Sequence, residues 1–575
     1  MTRNGNVSVS RDIPVRMRDG ATLFADVYAP EGPGPFPVLL MRTPYGKTQA
    51  QDSIHTHPLW YARRGYIVAV QDVRGRWSSE GEWYPFAHEA EDGYDTVEWA
   101  AGLPKSNGRV GMYGISYVGA TQLLAAVAAP PHLACLVPGT TSSEYYDGWT
   151  YRAGALHLAF TESWAVMLAQ DTARRRELRQ LEAQLFASFS AAGLEFGTLP
   201  LKRYELLRRE GIAPWFFDWL AHPTRDEYWE RWSIERRHAN VRVPALHIAG
   251  WYDIFLDGSI RNYQGLRERA ADDRARTGQR IVIGPWHHVP WAPIVSGWDF
   301  GAEARSGIND WQVRWFDYWL RGVENGVPDD PPVRIFVMGE NRWREEREWP
   351  LRRAEVTEFF LHSQGTANSL NGDGILSRER SGDEDPDTFI YDPRSPSMSL
   401  GGRSCCRYLI SPMGPADQRA AEIHNGVLVY TTPPLQRDLE VTGPVSAVLF
   451  AATTARDTDW TVKLVDVHPD GRAINVADGV LRARYRHSLS APALLTPGEV
   501  YEYRVDLGST SNLFKAGHRI RVDVSSSNFP CFDRNLNTGN APGGEWIADC
   551  VVATQTVFHD VNRPSRIMLP VVPRS

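Results

Sequence analysis

Arg109-Val110-Gly111-Met112-Tyr113-Gly114-Ile115-Ser116-Tyr117-Val118-Gly119 is the stretch whose reading decides the fold. A short apolar run enters Gly114 and then Ser116, and residues 117–128, rich in Ala and Leu, have helical spacing. A tight strand-to-helix turn strains the backbone at its serine and needs small neighbours. It lifts the hydroxyl clear of the sheet and aims the first helical amides at a developing oxyanion. The pattern here is Gly-x-Ser-x-x-Gly, with Val118 where the usual elbow has its second glycine. The motif alone fits a purely structural turn equally well. The strand before it and the helix after it favour a nucleophile.

Outward from this turn, short apolar runs recur as they do in buried parallel strands. They are 38–41, 66–70, 110–113 and 133–137, then 245–249 and 280–283. Helical patterns such as 88–102 and 117–128 lie between them, which predicts a parallel sheet wrapped by helices. Upstream, 15–18 and 23–28 flank the turn pair Asp19-Gly20 as a hairpin. From about 146 to 238 no strand-like run occurs. Helical spacing over 160–192, 202–210 and 214–220 marks an insertion, a natural place for a lid. After about 350, short runs rich in Val, Tyr, Phe and Thr alternate with turn residues, the texture of a β-sandwich or jelly roll. Segment 364–388 reads as an exposed loop. The expected domains are an α/β domain in two parts (1–145 and 239–350), a helical cap (146–238) and an all-β domain (351–575).

Composition narrows the function. A chain of 575 residues exceeds one ordinary core. The formal charge of −7 gives no sign of a polyanion-binding surface, so no nucleic-acid partner is expected. The 21 Trp predict well-filled cores and an aromatic pocket. Five Cys, an odd number with Cys405 and Cys406 adjacent, argue against a disulfide framework and fit a reducing compartment. Residues 1–14 have no apolar leader core and no long apolar span occurs, so the expectation is a cytoplasmic chain with no membrane partner. No Cys/His spacing of a metal site is seen, and neither metal nor cofactor is expected.

A serine needs a histidine base and that base an orienting carboxylate, which in this topology follow the serine in the order acid, then His. The run 245–249 leads into Gly250-Trp251-Tyr252-Asp253, so Asp253 falls just past a strand's C-terminal end, where sheet active sites collect. The run 280–283 leads into Gly284-Pro285-Trp286-His287-His288 at the next strand's end. Read singly, Asp253 is as well explained by helix capping and the His pair by a turn. Their order and placement together favour a triad. Asp257 is an alternative acid, and spacing does not separate His287 from His288. The oxyanion donors expected are the backbone N–H of Tyr117 and, less strongly, the Tyr45 hydroxyl, in a loop lacking a glycine-rich lipase motif.

These residues together resemble the family of bacterial cocaine esterase, which extends to X-prolyl dipeptidyl peptidases and α-amino-acid ester hydrolases. Further landmarks are 14–20 (PVRMRDG), 71–75 (QDVRG), 461–467 (TVKLVDV) and 524–530 (VSSSNFP). The resemblance implies an α/β-hydrolase domain with an inserted helical cap, a C-terminal jelly roll, and a serine carboxylesterase acting on a small-molecule ester. It places the base on His288, the acid on Asp253 and an oxyanion donor on Tyr45. It matches pocket residues to Trp149, Trp164, Phe255 and Leu400, and it suggests a homodimer. The cap departs from the family, so no particular ester follows. Glu144, Asp147 and Glu162 could mimic the carboxylates that hold a substrate amine in α-amino-acid ester hydrolases, or be ordinary solvated acids. The alternatives are an amidase or peptidase on the same scaffold, and a carbohydrate-binding protein built on the β domain.

Overall fold

Leu39 and Met41 point to one side of their strand and Val38 and Leu40 to the other, and all four are buried. A strand apolar on both faces needs cover on both. The computed structural model describes residues 6–48, 56–190, 194–289, 291–407 and 410–574. In it a ten-stranded sheet separates two apolar clusters. Its strands are β1 (Val7–Arg16), β2 (Thr22–Pro30), β3 (Phe36–Thr43), β4 (Ile67–Asp72), β5 (Ser106–Ile115), β6 (Leu133–Gly139), β7 (Leu246–Tyr252), β8 (Arg280–His287), β9 (Val333–Val337) and β10 (Arg342–Glu346). The spatial order is β1-β2-β4-β3-β5-β6-β7-β8-β9-β10. The strands from β4 to β9 run parallel, and β1, β2 and β10 join antiparallel at the edges.

Helices cross between parallel strands. α1 (Glu89–Ala101) precedes β5, and α2 (Tyr117–Val127) leaves Ser116 directly. All of α2 is buried, packed against α1 and the sheet. This explains the displaced glycine of the motif. A Cβ on Gly119 would stand 2.9 Å from the Gly139 carbonyl oxygen and 2.9 Å from the Thr141 Cβ, so the close approach of helix to strand falls there and Val118 is accommodated.

Between β6 and β7 the chain is mostly helical, as its periodicity predicts, with two differences. A small hairpin pairs Tyr151–Arg152 with Ala155–Leu156. The helical spacing over 160–192, whose last two residues lie outside those described, resolves into two helices, α3 (Leu158–Arg175) and α4 (Arg179–Ser190). They part where Glu177 takes a positive φ of 58°, incompatible with a continuing helix. α5 (Pro214–Ala221) brings Trp215 and Trp219 under α3.

Past β10, eleven strands from Glu355–His362 to Arg566–Val572 form a separate sheet system. Its pairings are antiparallel except Ile375–Ser377 beside Leu428–Thr431. One apolar cluster runs from Ile248 and Ile283 of the first sheet to Val441 and Phe514 of the second, so the two share a core. Segment 364–388 is largely the exposed loop its composition suggests, but it is not wholly so. It contributes Ile375–Ser377, and Asp387 is fully buried, accepting from the Ser363 hydroxyl (2.7 Å), the Ala367 N–H (2.8 Å) and the Tyr430 hydroxyl (2.7 Å). Cys405 and Cys406 are disulfide-bonded to each other, a link between neighbours that closes no loop, and Cys135, Cys531 and Cys550 are free.

Candidate active site

Ser116 stands at the end of β5 with φ 61° and ψ −127°, a conformation that side chains rarely adopt. Its N–H donates to the Gly139 carbonyl (3.0 Å), and its own carbonyl accepts from Gly119 and Ala120 in the first turn of α2. The Tyr117 N–H is the first of that helix, so it has no intrahelical acceptor and faces the serine's end of the sheet. The Tyr117 side chain turns inward. Its hydroxyl donates to Glu89 Oε1 (2.8 Å) and accepts from the Phe86 N–H (2.9 Å), and Glu89 is paired with Arg42 at 2.8 Å. This buried network pins the elbow to α1 and β3.

Asp253 and His288 reach the same sheet end from β7 and β8, which pair in parallel from Arg280 with Leu246 to Gly284 with Gly250 and, after a register shift, His287 with Tyr252. A Cβ on Gly250 would lie 2.2 Å from the Trp286 carbonyl oxygen, so glycine is needed for β7 to pass the loop bearing His288. Asp253 is fully buried. Its Oδ1 accepts from the Phe255 N–H (2.5 Å) and its Oδ2 lies 3.1 Å from His288 Nδ1. With Nδ1 held by the carboxylate, His288 Nε2 is the nitrogen left for proton transfer. The Phe255 ring stands edge-on to the imidazole, centroids 5.3 Å apart, and fixes its plane.

The two residues that spacing left as rivals have other surroundings. Asp257 bonds Arg403 (3.2 Å) and Arg152 (3.3 Å). His287 lies in β8, and burial and the neighbouring His288 push its pKa down to about 4, which suits a neutral packed ring.

Tyr45 follows β3, the strand beside β5. Its hydroxyl accepts from Trp164 Nε1 of α3 at 3.0 Å. Burial raises its pKa to about 12, so it is a neutral donor at physiological pH. The loop that carries it is clamped by residues that sequence reading had not singled out. Buried Arg76 donates to the Pro44 carbonyl (3.1 Å) and to the Leu168 carbonyl of α3 (2.9 Å), and Trp77 Nε1 donates to Pro44 as well (3.1 Å). Their signal lay in the chain directly after Gln71–Gly75, but a hydrogen bond to a backbone carbonyl across the fold has no local signature.

The matched aromatics do converge. Trp149 stacks on Phe255 at 4.3 Å and 11°, and meets Trp164 edge-on at 5.7 Å. Phe160, Trp83, Trp215 and Trp219 extend the cluster through Trp149 and Trp164. Leu400 is half-buried with its carbonyl bonded to Gln418 (2.7 Å), and its place in the pocket rests on the resemblance alone. Of the three acids, Glu144 pairs with Arg225 (2.6 Å) and Asp147 with Arg261 (3.2 Å), while Glu162 is buried on α3.

Comparison with known proteins identifies the family. Residues 19–290 match the model of the X-Pro dipeptidyl-peptidase (S15) family, and 325–568 that of the X-Pro dipeptidyl-peptidase C-terminal non-catalytic domain. The cocaine esterase of Rhodococcus sp. (strain MB1 Bresler) is 40% identical over 584 residues, covering 99% of this chain and 100% of that one. A solved α-amino acid ester hydrolase superposes with TM-score 0.80 at 26% identity, covering 99% of this chain and 97% of that chain. An aminopeptidase from a marine sediment Thaumarchaeota archaeon gives 0.79 at 25% identity, covering 100% and 98%. Among the described residues, no helix is long and apolar enough to cross a membrane. The chain belongs to the bacterial cocaine esterase family, with an α/β-hydrolase domain and a C-terminal all-β domain, and it is a serine hydrolase.

Proposed function

We propose that this chain hydrolyses carboxylic esters of small, aromatic or apolar substrates, with Ser116 as nucleophile, His288 as general base and Asp253 as its orienting acid. The observation that carries the reading is the Asp253–His288 contact at the sheet end that also carries the strained Ser116 and the Tyr45 hydroxyl. His288 takes the Ser116 proton as the oxygen attacks the ester carbonyl, and Asp253 stabilises the imidazolium. The Tyr45 hydroxyl and the Tyr117 N–H bind the tetrahedral oxyanion. His288 then protonates the departing alcohol, and water repeats the sequence on the acyl-serine. Trp149, Trp164 and Phe255 supply the apolar wall for the acyl or alcohol group.

The amidase or peptidase reading draws on the family model's description and on the solved aminopeptidase. Such an enzyme needs free carboxylates for a substrate amine. Glu144 and Asp147 are instead engaged by Arg225 and Arg261, which favours the ester. A cytoplasmic site of action and the jelly-roll form of the β domain belong to this same reading.

An aryl phosphonate tests the nucleophile. It should label one site, mapped by peptide mass to Ser116, with parallel loss of aryl-ester hydrolysis. Stoichiometric labelling elsewhere, with Ser116→Ala still active, would dismiss the triad. Tyr45→Phe should cut kcat by about 10²–10³-fold with little change in KM; an unaltered kcat would remove Tyr45 from the oxyanion hole.

A further inference from the structure

Asp466, His468 and His518 stand far from the hydrolytic residues in sequence and lie in the β domain. Asp466 is near the end of the strand Asp459–Val467, and His468 opens the turn that follows. His518 immediately precedes the strand Arg519–Ser525, which pairs antiparallel with the first, Asp466 opposite Ile520 and Val467 opposite Arg519. The pairing therefore brings both histidines to one end of the two strands. One potential ligand atom from each of the three residues lies within 4.8 Å of the other two.

The cluster is supported from several sides. His518 Nδ1 is 2.8 Å from Asp466 Oδ1, and the two imidazole centroids are 4.4 Å apart. Asn512 Nδ2 points at Asp466 Oδ2 from 3.5 Å. The His468 N–H donates to the Arg472 carbonyl (2.8 Å) and the His518 N–H to the Lys515 carbonyl (3.0 Å), so both turns are closed by backbone bonds. Trp298, in the short hairpin Ile294–Val295/Trp298–Asp299 that follows His288 in the chain, meets the His468 ring edge-on at 5.3 Å. Asp466 and His518 side chains are only 8% and 11% exposed, while His468 is half-buried and keeps an approach from solvent.

We propose that Asp466, His468 and His518 bind a divalent transition-metal ion of the zinc class, at a site separate from the hydrolytic centre. Two imidazoles and one carboxylate suit a borderline-soft ion and disfavour Ca²⁺ or Mg²⁺, which take oxygen ligands. Donors about 2.0–2.2 Å from such an ion sit roughly 3–3.5 Å apart, so small rotations of these three side chains close the set. The ion replaces the proton shared by His518 and Asp466, and water takes the fourth position. Its effect is structural: it ties the strand end at Asp466 to the turns of His468 and His518, against which the Trp298 hairpin packs.

The test uses the purified full chain, stripped with chelator and titrated with Co²⁺ and then Zn²⁺ alone. One equivalent of Co²⁺ should produce visible ligand-field absorption, abolished by one equivalent of Zn²⁺, and Zn²⁺ should raise the melting temperature. His468→Ala and His518→Gln should each weaken binding by at least about tenfold and remove the melting shift, with far-UV circular dichroism unchanged. If His518→Gln fails to fold, His468→Ala, in a half-exposed turn, decides alone. No stoichiometric binding would leave the cluster an ordinary imidazole–carboxylate ion pair and overturn the proposal. Equal binding by the variants would place the ion on other histidines and overturn it too.

Discussion

Ser116 holds a backbone conformation of φ 61° and ψ −127°, and such outliers cost about 1–3 kcal/mol. That strain keeps the hydroxyl out of the helix and aimed at the base. Ser116→Gly should therefore raise stability by up to about 1 kcal/mol, since glycine reaches positive φ freely though it loses more chain entropy on folding. The urea midpoint measures this, while turnover of an aryl ester falls on the order of 10⁶-fold. A variant as stable as the parent or less would mean that the elbow is relaxed as drawn. His288 is separated from His287 by what each ring touches: one reaches a buried carboxylate, the other sits in a strand.

The elements position the site by packing at one edge. Strands β3, β5, β7 and β8 supply Tyr45, Ser116, Asp253 and His288 from their C-terminal ends, as parallel sheets are built to do. Helix α3 reaches over them through Trp164, and Arg76 locks the Tyr45 loop to that helix. Burial lowers the Arg76 pKa to about 10, with Asp171 opposing the fall, so the clamp is cationic at neutral pH. Arg76→Ala should destabilise the chain by about 2–3 kcal/mol, below the full cost of a broken buried pair because Asp171 keeps the Trp77 N–H. It should also lower kcat more than it alters KM, because the oxyanion donor loosens while the aromatic wall stays. Calorimetric melting and initial rates together check it; a stability loss with unchanged kcat would assign Arg76 to the fold alone.

Across the whole molecule, buried histidines make stability sensitive to acid. Burial lowers the pKa of His157 to about 3 and of His247 and His287 to about 4. Unfolded, each titrates near 6.5, so the native chain binds fewer protons below that pH. Their contribution is complete above about 6.5 and is lost as pH falls toward 4. His247→Gln, which can still donate to Gln279, should lose less stability between pH 7 and pH 5 than the parent when urea midpoints are compared at both values. Equal losses would show that His247 does not titrate in that window.

The same scale divides what was legible in the chain from what was not. Strand and helix identity in the first sheet followed from apolar periodicity, because burial on both faces writes itself into consecutive residues such as Val38 to Met41. The break between α3 and α4, and the buried role of Asp387 in a polar segment, did not follow, since single-residue φ and distant partners leave no periodic trace. Asp253 and His288 were placed by strand ends and by resemblance, because catalytic order along this topology is a property of the chain. The Arg76 clamp and the gathering of Asp466, His468 and His518 were decided only by the folded structure. Hydrogen bonds and ion contacts act over about 3 Å, and residues tens or hundreds of positions apart come within that range only when strands pair and helices pack.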